Sequence, residues 1–396
     1  MKVGKLSLLV LLLVILACGG GGGGSTGNGT PIPDSQREAA IKSVNTKFKQ
    51  LLIAGGSPAT QNAQLATFMA AMPEFEAAGA NSDDGCSWGR FTDGRLLVVG
   101  NNRFPDRSPG QPFAWTRRAL KTYVSKSQQA RLMHAFGANF SQLQLPITDM
   151  SNYLKTDAQF TIVPGIEGDA RLTTLRTVSG DAFFYLNAHG GKGTTKAGVE
   201  VFCASSSTPH DAGTDALPEV RRDFDDNLIV YYTGQTGDVP ETVATTYAIT
   251  EAFVKKYMSF SPNAIVFLNV CFSGNSHLEV GKFRNAFHTK NAGVVLGWTK
   301  LCNSATAFDS ARFFVDRLMA ANTFQKENPE QRAFGVNSVL ADMARKGKDK
   351  DGDSSLLASY KAGVTDVELR ATIERLTMDE ENDVLVLNGS FGDEQG

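Results

Sequence analysis

The chain has 396 residues, of which 42% are hydrophobic and 20% charged, an ordinary globular composition. Thirty-nine Lys plus Arg against 41 Asp plus Glu leave a net charge of -2. With no basic cluster, this balance excludes the electrostatic footprint of a nucleic-acid binder. The length accommodates two domains, or one large domain with appendages.

The first 18 residues, MKVGKLSLLVLLLVILAC, place Lys2 and Lys5 before an apolar stretch from Leu6 to Ala17 broken only by Ser7. The stretch is shorter than the roughly 20 residues a spanning helix needs and has the layout of a secretory signal. Its end, Ile15-Leu16-Ala17-Cys18, resembles the bacterial lipobox, which implies acylation at Cys18 and a membrane anchor in the cell envelope. The alternative is an ordinary signal peptide that contains a cysteine. A glycine-rich tether over 19–33 suits an anchored domain. The folded part then begins near Pro33 and works outside the cytoplasm.

Residues 34–125 read as an N-terminal extension. Over 34–80 apolar residues recur at three- and four-residue steps, which predicts helices. Asp93-Gly94 between two short apolar stretches predicts a β-hairpin over 84–102. From 126 to 322 the pattern alternates strand and helix. ARLMHAFG is a strand with helix as its competitor, and ITDMSNYLKT is a helix capped by Thr148 or Asp149. AQFTIVPG is a strand, DARLTTLRTV a short helix, and DAFFYLNAHGG a strand that runs into a histidine turn. AITEAFVKKYM is helical and NAIVFLNVCFSG a buried strand, followed by a helix near 278–288, strand AGVVLGWTK and helix SATAFDSARFFVDRLMAA. Continuous apolar strands between helices predict an α/β fold with a largely parallel sheet covered on both faces. The insertion 192–247 reads as a strand pair forming a flap beside the site. The extension 323–396 holds a helix at NSVLADMARKG, the charged run KDKDGDSS, a further helix and a late apolar run.

Ligands of a parallel α/β sheet gather at the carboxyl ends of its strands. His189 and Cys271 both stand where an apolar strand ends, each followed by a glycine-bearing turn. A cysteine attacks as a thiolate, and its ordinary pKa of about 8.5 calls for an adjacent base near neutral pH. Gly190 and Gly274 permit close backbone approach to a substrate. Backbone N–H groups at Gly190 and Cys271 are then candidates for holding a tetrahedral oxyanion.

A strand ending in His-Gly and a later one ending in Cys-x-Ser-Gly resemble the caspase-like superfamily of cysteine peptidases, which includes metacaspases, legumains, gingipains, clostripain and CHAT-type peptidases. NAHGG matches the histidine turn of that family, LNVCFSG its nucleophile turn, and AGVVLGWTK the next strand. The resemblance covers roughly 126–322. It implies a caspase-like sheet, His189 as general base, Cys271 as nucleophile, Gly190 and Cys271 N–H groups as the oxyanion site, and a protein or peptide substrate. The chain lacks the Gln-Ala-Cys-x-Gly signature, and its His-to-Cys spacing is 82 rather than about 50, an excess the insertion supplies. Asn269 stands where metacaspases carry an acidic residue, and Trp298 is a candidate wall of the substrate pocket or a core residue.

Other candidates read as structural. His277 lies on the helix leading away from Cys271, His210-Asp211 sits in a polar loop, and Ser273 lacks the Gly-x-Ser-x-Gly elbow. Cys302 reads as a structural thiol. No cysteine spacing suggests zinc and no cofactor is implied. Asp349, Asp351 and Asp353 invite a calcium reading, but glycine falls between the second and third aspartates and the twelfth position is Tyr360, so a solvated loop is the preferred reading. The rival to a peptidase is a non-catalytic envelope protein that uses the same scaffold to bind a protein or peptide.

Overall fold

Helix α1 (Asp34–Ala54) buries Ala40, Ile41, Val44, Phe48, Leu51 and Leu52, the stripe expected of a helix with one covered face. Helix α2 (Pro58–Ala70) opens with a proline behind Ser57, whose hydroxyl accepts the Thr60 N–H. The helical periodicity was expected to continue to Gly79; instead α2 stops at Ala70 and Phe75–Asn81 forms strand β1. Pro73 lies between them and cannot extend a helix, since it lacks the N–H and clashes with the preceding turn. The computed structural model describes residues 31–81, 85–101, 122–125, 127–136, 144–155, 160–163, 170–236, 242–328, 335–369, 373–379 and 384–389. The leader, Cys18 and most of the glycine tether lie outside them.

The remaining elements follow in order: β2 (Cys86–Phe91), β3 (Leu96–Gly100), β4 (Thr122–Val124), β5 (Gln129–His134), α3 (Gln144–Lys155), β6 (Thr161–Ile162), α4 (Leu172–Leu175) and β7 (Asp181–Ala188). The middle of the chain gives β8 (Gly190–Thr194), β9 (Glu200–Pro209), α5 (Ala212–Ala216), α6 (Pro218–Asp225), β10 (Ile229–Gln235), β11 (Val243–Thr250), α7 (Glu251–Tyr257) and β12 (Phe260–Val270). After them come α8 (Leu278–Thr289), β13 (Ala292–Trp298), α9 (Ser304–Leu318), α10 (Val336–Arg345), β14 (Lys350–Asp351), β15 (Ser354–Tyr360), β16 (Asp366–Glu368), β17 (Ile373–Asp379) and β18 (Val384–Gly389). Thr148 and Asp149 fall inside α3 and cap nothing. The helix expected after Ser355 is strand β15, whose Leu356 and Ala358 lie against β13.

Two seven-stranded sheets carry the architecture, which is mixed α/β and partly parallel. The first runs β14-β15-β13-β12-β7-β5-β6. Its inner strands β13, β12, β7, β5 and β6 are mutually parallel, while β15 and β14 add to the edge antiparallel. Every residue of β7 and β13 is buried, which is why these segments read as unbroken apolar runs rather than alternating ones.

The second sheet runs β1-β2-β3-β10-β11-β9-β8 and is antiparallel apart from the β3–β10 pair. It unites the 84–102 hairpin with the 192–247 segment read as a flap. The sheet curls until β8 comes back against β2: Arg90 of β2 donates to the carbonyls of Thr194, the last residue of β8, and Thr195 just past it, at 3.3 and 2.7 Å. Cys86, Leu96, Val98, Cys203, Val230, Tyr232 and Ala248 fill the inside of the curl. Helix α1 covers the outside, where Asn45 donates to Thr245 Oγ1 at 2.9 Å.

Candidate active site

The register of the first sheet decides where His189 and Cys271 lie. Strands β7 and β12 are parallel neighbours, with Asn187 opposite Asn269 and Ala188 opposite Val270. The next residue on each is His189 and Cys271, so both leave the sheet at one level on strands about 4.8 Å apart. The two turns touch: a Cβ built on Gly190 would stand 2.3 Å from the Cys271 carbonyl oxygen.

His189 is the single residue between β7 and β8, the point where the chain passes from one sheet to the other. Ser205 of β9 holds it at both backbone groups, accepting the His189 N–H on its hydroxyl at 3.0 Å and donating its own N–H to the His189 carbonyl at 2.9 Å. The ring meets Phe136 edge-on at 4.6 Å and stacks on Tyr232 at 5.8 Å. Its Nε2 lies 2.6 Å from the Gln235 carbonyl. A carbonyl only accepts, so Nε2 carries the proton and Nδ1 carries the lone pair a base requires. Burial pulls the imidazole pKa from its ordinary 6.5 down to about 4, with the Gln235 bond opposing. The ring is therefore neutral at physiological pH.

The Cys271 turn is tight and strained. Phe272, directly after the cysteine, has φ 64°, a left-handed conformation that a bulky side chain adopts at a cost of about 1–3 kcal/mol. The neighbourhood holds it there: Phe272 N–H donates to Lys300 O, Ser273 N–H to Val270 O and Gly274 N–H to Trp298 O. The Ser273 hydroxyl donates to the Leu268 and Val270 carbonyls, which commits it to the turn. Cys271 is 7% exposed, and its Sγ lies 3.9 Å from the Cys302 carbonyl.

The expected role of the two glycines changes. Gly190 and Gly274 were read as admitting a substrate; what approaches them is the protein's own backbone. A Cβ on Gly274 would stand 2.1 Å from the Gly297 carbonyl oxygen of β13. Gly190 stands opposite Ala204 on β9, one residue past the His189 carbonyl that accepts the Ser205 N–H. The Gly190 carbonyl meets Tyr232 OH at 3.4 Å.

Asn269 and Trp298 are joined to each other: Trp298 Nε1 donates to Asn269 Oδ1 at 2.9 Å. Asn269 Nδ2 donates to Tyr185 OH and Asn187 Oδ1. Both residues are buried, so they support the floor under Cys271 as a satisfied polar network rather than as an open pocket wall. Elsewhere, His277 is exposed ahead of α8, and His210 pairs with buried Asp215 beneath Tyr231 and Tyr247, on the sheet face opposite Tyr232.

The charged run KDKDGDSS is not a solvated loop. It forms the β14–β15 hairpin that grips residues 299–303, the segment bearing Cys302. Asp351 accepts the Asn303 N–H, Ser354 Oγ the Lys300 N–H, and Thr299 N–H donates to Ser355 O at 2.9 Å. Asp353 pairs with Lys300, and Asp349 is buried with its pKa raised by that burial. Among the described residues no group of three His, Cys, Asp or Glu side chains is placed to hold a metal.

Sequence reading missed Gln235, Ser205, Phe136 and the Cys302 carbonyl. Two of these act through backbone atoms, which carry no side-chain signal. A scan of protein-family models finds none that matches the chain, and a search of curated proteins finds no match.

Proposed function

We propose that the protein is a cysteine endopeptidase of the caspase-like kind, anchored by lipid at Cys18 in a bacterial cell envelope and acting on protein or peptide chains outside the cytoplasm. The observation that carries this reading is the parallel register that ends β7 on His189 and β12 on Cys271, with Gly190 against the nucleophile turn. Neutral His189 takes the Cys271 proton, and the thiolate attacks the scissile carbonyl. The N–H groups of Gly190 and Cys271 hold the oxyanion. The imidazolium then returns its proton to the leaving amine, and water hydrolyses the acyl-enzyme. A peptidyl electrophile should label Cys271 and stop turnover, and Cys271→Ala or His189→Ala should abolish cleavage. Full activity in His189→Ala would remove the base and with it the mechanism.

The near-complete burial of Cys271 favours a second reading, a non-catalytic envelope protein that binds a protein or peptide on the same scaffold. It predicts no hydrolysis of a positional peptide library and ligand binding untouched by Cys271→Ala.

A further inference from the structure

Beside the turn that carries Cys271 lies a second cysteine, Cys302. Tyr185, Asn187 and His189 alternate onto one face of β7, as Phe267, Asn269 and Cys271 do on β12, and hydrogen bonds from Asn269 to Tyr185 and Asn187 join the two rows. Phe267 packs on Phe314, so this is the face that α9 covers. Cys302 immediately precedes α9, and its carbonyl is 3.9 Å from Cys271 Sγ. Burial raises the Tyr185 phenol, the Asn269 hydrogen bond opposes, and the Cys302 sulfur adds to the rise. Cys302 is 8% exposed and its backbone is held on both sides by the β14–β15 hairpin. A buried cysteine whose backbone is held against the Cys271 sulfur stands where a resolving cysteine would be needed.

We infer that Cys302 is the resolving thiol for oxidised Cys271, so that a hydroperoxide converts the pair into a reversible disulfide and silences the nucleophile. Cys271 thiolate attacks one peroxide oxygen, the O–O bond breaks, and the thiol becomes a sulfenic acid with release of water or alcohol. The Cys302 sulfur then attacks the Cys271 sulfur, an S–S bond forms, and the sulfenic oxygen leaves as water. In total two thiols lose two protons and two electrons, and hydrogen peroxide becomes two waters. The disulfide keeps Cys271 below the sulfinic stage, which is not reversed by thiols. Its meaning as an off-switch rests on the peptidase reading; the bond itself does not.

The test treats the whole protein with hydrogen peroxide, blocks remaining thiols and maps unreduced peptides by mass. A Cys271–Cys302 cross-linked peptide, lighter by two hydrogens, is the expected product. In Cys302→Ser the Cys271 peptide should instead gain two oxygens. After dithiothreitol, Cys271 alkylation should recover about tenfold more in the wild-type protein than in Cys302→Ser. Cys271 over-oxidised without the cross-link in wild type, a bridge confined to Cys86 and Cys203, or equal recovery in both proteins would overturn the proposal. None of these readouts needs peptide cleavage, so an inactive protein that still forms the bridge would refute only the peptidase reading.

Discussion

Gly190→Ala tests the contact between the two turns. The added methyl would meet the Cys271 carbonyl at 2.3 Å, Val270 Cγ1 at 2.7 Å and Phe202 Cζ at 3.0 Å. The side-chain atoms can yield, but the carbonyl belongs to a turn fixed by Phe272, Ser273 and Gly274. Ordinary contact requires about 3.5 Å, so one backbone must retreat by about 1 Å. Such overpacking costs about 1–3 kcal/mol of stability. A displacement of about 1 Å at a reacting group lowers rate by roughly a hundredfold. Urea unfolding and the second-order rate of Cys271 alkylation at pH 7 measure the two effects. Gly281→Ala in α8 is the matched control: open space surrounds the position, so the same substitution should stabilise by about 0.5–1 kcal/mol. Wild-type stability and wild-type thiol reactivity in Gly190→Ala would refute the contact and the assembly built on it.

The neutral, buried His189 sets a pH signature. Its folded pKa of about 4 lies below the ordinary 6.5, so the unfolded chain binds more protons between those values. Stability is therefore complete above about pH 6.5 and falls toward pH 4 by up to about 3 kcal/mol; the urea midpoint of His189→Asn should lack that component. Asn269→Leu strands the Trp298 N–H and the partners of the Asn269 amide, and should lower the unfolding free energy by about 2–4 kcal/mol in urea titration. Asp351→Ala should loosen residues 299–303 and raise iodoacetamide reactivity at Cys302 severalfold, with a stability loss of about 1–2 kcal/mol. Adding calcium should move the thermal midpoint by less than about 1 °C, because Asp351 and Asp353 already hold a backbone N–H and Lys300.

The strands of the first sheet were legible because burial on both faces writes itself as continuous Val, Ile, Leu and Phe, as in Ala264–Leu268. The helices α1, α8 and α9 were legible by period. What failed was the assignment of short or half-polar segments. Phe75–Asn81 and Ser354–Tyr360 contain alanines, a glutamate and leucines that suit a helix locally, and only pairing with β2 and β13 makes them strands. KDKDGDSS looked solvated because the Asn303 N–H that Asp351 binds leaves no trace in side-chain chemistry.

The proposed pairing of His189 and Cys271 is suggested by strand ends, yet its geometry depends on something no single segment encodes. Cys271 belongs wholly to the first sheet, whereas the group that fixes the His189 tautomer, Gln235 O, belongs to the second. His189 is the residue at which the chain changes sheets, and Gly190 is where the second sheet rests on the nucleophile turn. The relative placement of His189 and Cys271 is thus set by how two sheets pack, and a perturbation of either can move one partner while leaving the other in place. A substitution inside the curled sheet, such as Tyr232→Leu under the imidazole, should lower Cys271 reactivity through the His189 ring and the Gly190 carbonyl it contacts, and leave the β7–β12 register intact. Retention of wild-type thiol reactivity and its pH profile in that variant would show that the second sheet does not position the base.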